Sequence, residues 1–381
     1  CEPNKHLILS LDSIKQLNII DTEHCKGISS LWDIVNKTNT CMGKRLLKYS
    51  LLNPIIDTKE LTLRYNFVEL LSKKHNNEYL YNVLKDKLKN INDIERLHRK
   101  MDIKILNPSD FYLLDLSYNN IQELIKVTNN LFTQEEIPKE MDIKKIRLDK
   151  GIKNSFTEFM EDYNNKIIMD KIHYINNNNS IKENIFKQGV YPDIDKKQEK
   201  IDDCMMQLQI LSKSLSLIVS KDNKQGPRDD LLKLDYNDKD GHFIATTNAR
   251  AKELAKSIEN PNSFTKIQLK KISEKINSKK LVYKQSSGKN GNTKIISDDI
   301  TNISHCLIGY QDKLKSMCIK QFTCLMDDYN EKYKDILEKI TDFVAYVDFI
   351  ACISKVSNDN VFTKPIIDLD SDHSYVCAEE L

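Results

Sequence analysis

From Ile300 to Ser357 the apolar residues recur almost without interruption. Leu314, Met317, Phe322, Leu325, Tyr329, Tyr333, Ile336, Ile340, Phe343, Val347 and Ile350 lie three or four apart, with one longer step. Such spacing draws one apolar stripe along an α-helix, because the helix turns once in about 3.6 residues. A helix of about 45 residues reaches about 70 Å at 1.5 Å per residue, far more than a compact domain needs. The stretch therefore predicts a lever, and its stripe requires a partner. Two segments offer one. Asp193 to Lys221 carries Ile194, Ile201, Met205, Leu208, Leu211, Leu215 and Ile218 at heptad-like spacing, and 150–185 is the other.

Between these long helices the period changes from helical to two. Leu231–Asn237 and Gly241–Thr247 flank Asp238-Lys239-Asp240 and predict a β-hairpin. A helix from about Ser263 to Ile276 follows. Leu281–Gln285 and Thr293–Ile296 then predict a second hairpin around Ser286–Asn292, which contains Gly288 and Gly291. A helix out, a small β-rich knob and a helix back form an insertion at the tip of a helical arm, the topology that keeps connections short.

The rest of the chain reads as helical bundle. Asp12 is positioned to cap a short helix holding Ile14, Leu17 and Ile20. Ser29 to Leu52 reads as strongly helical, with Thr40 a candidate N-cap inside it and Asn53-Pro54 its stop. Asp57-Thr58 cap the next helix, Leu80 to Met101 forms another, and Asn107-Pro108-Ser109 open one more. Residues 125–190 are polar, with helical pieces around Phe156–Ile168 and an Asn run at 176–179 that reads as a loop. Only 9 Gly and 8 Pro occur in 381 residues, too few for the turns of an all-β protein. The expected fold is mainly α: a helical bundle with long lever helices and a small inserted α+β clamp of antiparallel hairpins. The expected boundaries are 1–190 for the first part of the core, 191–300 for the clamp, and 301–381 for the returning lever and core.

Charge and cysteines exclude several classes. The formal net charge is +2, so any nucleic-acid contact must come from local clustering. No apolar run approaches the roughly 20 residues of a bilayer span, which argues against a membrane partner. The 9 cysteines are scattered, odd in number and without a Cys-x-x-Cys, as expected of thiols in an intracellular, reducing compartment. His305, Cys306 and Cys318 lack the spacing of a metal site, and no metal is expected. Adjacent acids such as Asp298-Asp299 and Asp327-Asp328 point different ways on a helix, so no catalytic pair is expected.

Thr40-Cys41-Met42-Gly43-Lys44-Arg45-Leu46-Leu47 is followed by Leu52-Asn53-Pro54 and by Arg64-x-x-x-Val68-x-x-Leu71. Asp93-Ile94-Glu95-Arg96 comes next. Leu234-Asp235-Tyr236-Asn237 with Gly241-His242-Phe243-Ile244 lies further on. In this order the segments resemble the core (lever) and clamp domains of the MutS family of DNA mismatch-repair proteins. Trp32 stands where the family has Leu, and His242 where it has another aromatic. The resemblance covers nearly the whole chain. It marks Thr40, Met42, Gly43, Arg45, Pro54, Arg64, Asn237 and Gly241 as structural motif residues. Within a helix, Gly43 fits a place where another backbone packs closely, and Arg45 and Arg64 could tie helices together through carboxylates.

The resemblance also implies function. Its clamp tips touch the DNA backbone. In the second hairpin region Lys275, Lys279, Lys280, Lys284, Lys289 and Lys294 occur with no Asp or Glu among them. Lys279, Lys280, Lys284, Lys289, Asn290 and Lys294 are therefore the expected DNA-backbone contacts, binding without reading sequence. The bland alternative for them is a solvated lysine loop. Double-stranded DNA and a second MutS-like subunit, as homo- or heterodimer, are the implied partners. No Gly-x-x-x-x-Gly-Lys-Ser/Thr occurs, so no enzyme activity and no cofactor are expected of this chain. ATP and magnesium belong to the ATPase domain that the resemblance places after Leu381, and the mismatch-reading domain would precede Cys1. Phe67-x-Glu69 and Phe156-x-Glu158 match that domain's Phe-x-Glu by letter only and are assigned to packing. The competing reading is a structural coiled-coil arm with a protein-binding knob and no DNA role.

Overall fold

The computed structural model describes residues 6–21, 30–75, 77–134, 145–175, 181–220, 228–237, 240–261, 265–266, 281–285, 292–368, 373 and 375–378. The chain is mainly α, with small antiparallel hairpins. It divides into two compact units, 1–165 with 323–381, and 166–322.

The first unit begins with α1 (Leu11–Gln16), α2 (Leu31–Val35), α3 (Cys41–Leu52) and α4 (Thr58–Leu71). Ser10, not Asp12, caps α1 by accepting from the Ser13 amide, and Ile20 lies beyond its end. The helix expected over Ser29–Leu52 is two. Ser30 and Asp33 form a capping box on α2, and Thr40 starts α3 by accepting from the Gly43 amide. A two-residue hairpin, β1 (Lys74–His75) and β2 (Glu78–Tyr79), leads to α5 (Leu80–Leu88) and α6 (Ile94–Asp102). These two replace the single helix expected over Leu80–Met101. Between them the Asn92 amide donates to Ser117 Oγ instead of continuing the helix, and Asp93 caps α6. Next come α7 (Pro108–Gln134) and α8 (Lys150–Lys166). Phe111, Tyr118, Phe156, Phe159 and Tyr163 from these two helices are fully buried, and Phe159 meets Tyr329 and Tyr333 edge-on or tilted. Phe67 and Phe156 are both buried packing residues.

Two ties explain most of the motif residues of this unit. Asp348, on the long helix near the C-terminus, is fully buried. Its carboxylate accepts from the amides of Asn39 and Thr40, from Asn39 Nδ2 and from Thr40 Oγ1. A Cβ at position 43 would lie inside that carboxylate, so Gly43 opens the notch in α3 that Asp348 fills. Cys352, one turn on, accepts from the Lys37 amide. Met42 is buried beside this joint. The second tie is Arg45, whose fork donates to both Asp93 oxygens at 2.9 and 2.6 Å and to Glu95 at 2.9 Å, joining α3 to α6. Arg64 instead pairs with Glu60 within α4 and lies 5.2 Å over the Phe349 ring. Pro54 follows the end of α3, and its carbonyl accepts from the Leu7 amide.

The second unit holds α9 (Met169–Ile172), α10 (Pro192–Val219), a four-stranded sheet, α11 (Asn248–Glu259) and the first part of α12 (Asp298–Asp359). The strands are β3 (Lys233–Asn237), β4 (Gly241–Thr247), β5 (Val282–Gln285) and β6 (Asn292–Ile296), all antiparallel in the order β3-β4-β6-β5. Both hairpins expected from alternation are present. The helix expected over Ser263–Ile276 lies outside the described residues except for Thr265 and Lys266. The helix at 248–259 follows from the Thr247 cap and the buried Ala251 and Leu254, three apart. It covers the inner face of the sheet, where Ile244, Thr293 and Ile295 are fully buried. Ser212 and Ser216 of α10 donate to the Leu232 carbonyl and anchor the start of β3. The 62-residue α12 contributes to both units. Within the first unit it packs on α8, and within the second Tyr310 lies under Lys197 and Lys200 of α10.

Candidate nucleic-acid interface

The outer face of the sheet carries a row that no single hairpin contains. Lys233 on β3 is opposite Ala245 on β4, Ala245 is opposite Lys294 on β6, and Lys294 is opposite Lys284 on β5. Directly opposed residues share a face, and neighbouring strands lie about 4.8 Å apart. One line across all four strands therefore presents three lysines. Like charges directly opposite, as Lys284 and Lys294 are, destabilise a sheet unless an anion lies between or above them.

One anion is built in. Asp240, in the turn of the first hairpin, accepts from Lys294 Nζ at 2.7 Å. Asn237 holds that turn: its Oδ1 accepts from the Asp240 amide at 2.6 Å, and its Nδ2 donates to the carboxylate at 3.2 Å. The Lys294 bond, then the Asn237 bond, hold the Asp240 carboxyl below its usual range. Lys294 Nζ also lies 4.4 Å from the Phe243 ring centre, covering that buried ring. Lys284 and Lys233 are exposed. Of the expected contacts, Lys284 and Lys294 are thus brought together, Lys294 with its charge already met. Lys279, Lys280, Lys289 and Asn290 lie outside the described residues.

Gly241 supports this geometry from below. Its φ of +68° is the left-handed region that glycine adopts without strain. A Cβ there would come within 2.5 Å of Ser304 Oγ on α12, the atom that accepts from the His242 amide at 2.7 Å. His242 is held partly buried by this bond, and burial lowers its pKa. Its ring lies 4.9 Å from that of Tyr236.

Lys233 and Asp240 were missed by a reading confined to the second hairpin. Both sit in the first hairpin, and only the strand order β3-β4-β6-β5 places them beside Lys294. The Asn-x-x-Asp spacing of Asn237 and Asp240 was the one local signal. Among the described residues no group of three or more His, Cys, Asp or Glu could hold a metal ion, and no helix is long and apolar enough to cross a membrane.

The MutS domain III family model matches residues 12–354. A mutS homologue of Acanthamoeba polyphaga mimivirus, named as a DNA mismatch repair protein, is 34% identical over 392 residues, covering 99% of this chain and 33% of that protein. DNA mismatch repair protein MutS of Clostridium kluyveri is 25% identical, covering 97% of this chain and 37% of that protein. MutS of Chlamydia trachomatis serovar L2b is 24% identical, covering 96% and 38%. The chain therefore spans about a third of the length of these relatives. With the notch at Gly43, the Arg45 tie and both hairpins inside the matched span, the chain belongs to the MutS family, as its domain III.

Proposed function

We propose that this chain is the lever and clamp of a MutS-like DNA mismatch-repair protein and that its second unit grips the duplex backbone. The observation that carries the reading is the row Lys233, Lys294 and Lys284 across one sheet face in a MutS domain III. Lysines on a pleated surface meet phosphate oxygens as point charges and carry no base readout. Asp240 sets the resting state by neutralising Lys294, and a phosphate would compete with that carboxylate for the ammonium. Residues 191–300 act as the inserted clamp in this proposal. The unbroken α12, which belongs to both units, couples DNA contact to the core. The parent protein binds ATP with magnesium in a domain outside this chain and works beside a second MutS-like subunit. This chain transmits and does not react.

The test is duplex binding by the 381-residue chain as a function of salt. Each phosphate neutralised contributes about −0.9 to the log–log slope. Replacing Lys233, Lys284 and Lys294 together by Ala should weaken matched and G·T duplexes alike and flatten the slope. A triple variant that binds as the parent does at low salt removes the sheet face from the interface, and leaves the protein-binding knob as the better account of it.

A further inference from the structure

Helices α10 and α12 run side by side within the second unit, and their register can be read from side-chain contacts. Lys197 and Lys200 both place Nζ over Tyr310, at 5.2 and 5.8 Å. Lys197 also shares a surface hollow with Asp312, Lys313, Ser316 and Met317. As residue number falls on α12, the facing position on α10 rises, so the pair is antiparallel. One further turn along α10 from Lys200 is Cys204, and one turn back along α12 from Tyr310 is Cys306. Residues four apart share a helix face and rise about 6 Å together. The two thiols therefore stand at the same level on the facing flanks of the two helices.

We propose that Cys204 and Cys306 are a reversible oxidation site, closing a disulfide between α10 and α12 when the protein meets a hydroperoxide. Their exposure assigns the order of events. Cys306 is exposed and Cys204 half-buried. Burial, then the neighbouring Cys306 and Asp203, push the Cys204 thiol up, so it is the poorer first nucleophile. The Cys306 thiolate attacks the peroxide: an S–O bond forms, the O–O bond breaks, and water leaves after protonation. This gives a sulfenic acid on Cys306. Cys204 sulfur then attacks Cys306 sulfur; the S–S bond forms, the S–O bond breaks, and a second water leaves with the Cys204 proton. Two electrons pass from the thiols to the peroxide. Cys318 cannot substitute, because it lies twelve residues, about 18 Å, further along α12 and is fully buried.

The experiment treats the purified chain with hydrogen peroxide, blocks remaining thiols by alkylation, and maps peptides without reduction. The expected result is an intact mass lower by two hydrogens before alkylation, and after it a joined peptide containing Cys204 and Cys306, undone by dithiothreitol. Cys306→Ser should abolish the joined peptide, whereas Cys204→Ser should leave a sulfenic acid on Cys306 that dimedone traps. Cys324→Ser, at an exposed thiol elsewhere, should leave the joined peptide unchanged. If both cysteines alkylate fully while Cys41 and Cys324 oxidise, the assignment is wrong. It is equally wrong if Cys306 is found joined to another cysteine or to another molecule.

Discussion

Replacing Gly43 by Ala tests the joint between α3 and the long helix. On an exposed helix the change would stabilise by about 1 kcal/mol, since Gly is the poorer helix former. Here the new methyl would lie 2.7 Å from Asp348 Cβ and Cγ and closer still to one carboxylate oxygen. The carboxylate must retreat from its donors. All four of its partners donate, and Thr40 Oγ1 is itself committed to the Gly43 amide as acceptor. That pattern suits the ionised, acceptor-only form, although burial pushes the Asp348 pKa up against the pull of these bonds. Losing two hydrogen bonds to a buried charge costs about 3–6 kcal/mol at 1.5–3 each. After the propensity gain, about 2–5 kcal/mol of net destabilisation remains. The single tryptophan, Trp32 in α2, lies in the same unit and supplies the fluorescence signal for denaturant unfolding. The decisive comparison is a double-mutant cycle. In an Asp348→Ala background the clash is gone, so Gly43→Ala should become neutral or stabilising. If Gly43→Ala costs the same in both backgrounds, the notch is not what the glycine provides.

Three further outcomes are expected. His98 is half-buried between Tyr118 Oη and Thr341 Oγ1, and its removal from water lowers its pKa to about 4. The unfolded state, with a His pKa near 6.5, binds the proton more readily, so stability should fall as pH drops from about 6.5 to about 4, by about 3 kcal/mol in all. Denaturant titrations across that range should show this loss, and His98→Gln should lack it. Asp240→Asn frees Lys294 and should tighten binding to any duplex, steepening the salt slope by roughly one phosphate; unchanged affinity would mean that Lys294 takes no part. Gly241→Ala forces a side chain into left-handed backbone and against Ser304, costing about 2–5 kcal/mol from backbone strain and overpacking together. Faster amide exchange across β3 and β4 is the readout.

Legibility followed the range of the forces involved. The long helix was readable over nearly its whole length, because its stripe repeats through 62 residues and needs no other information. Both hairpins showed in their alternation. The break at 89–93 did not, since the apolar spacing runs on through it at Leu88, Ile91 and Ile94, and at 36–40 only the Thr40 cap marked one. What interrupts the helices there is distant. Asp348 takes the amides of Asn39 and Thr40, and Ser117 takes that of Asn92. Thr40 was recognisable as a cap, but its second bond to Asp348 was not. The same limit applied to the candidate site. The run of lysines read as unopposed, yet Asp240 meets Lys294 from 54 positions away. Arg45 was expected to join helices through carboxylates and does so; among the described residues Arg64 pairs with a carboxylate of its own helix and reaches α12 by packing over the Phe349 ring instead.

The bond from Thr40 to Asp348 spans 308 positions. At synthesis rates of roughly 5–20 residues per second, α3 waits about 15–60 s for the residue that fills its notch. Throughout that interval the amides of Asn39 and Thr40 have no carboxylate, and the face of α3 notched at Gly43 stands uncovered. The first unit can therefore assemble only after the whole second unit has left the ribosome. A polypeptide stalled or cut short before residue 348 would present the same uncovered helix face indefinitely, to chaperones and proteases alike.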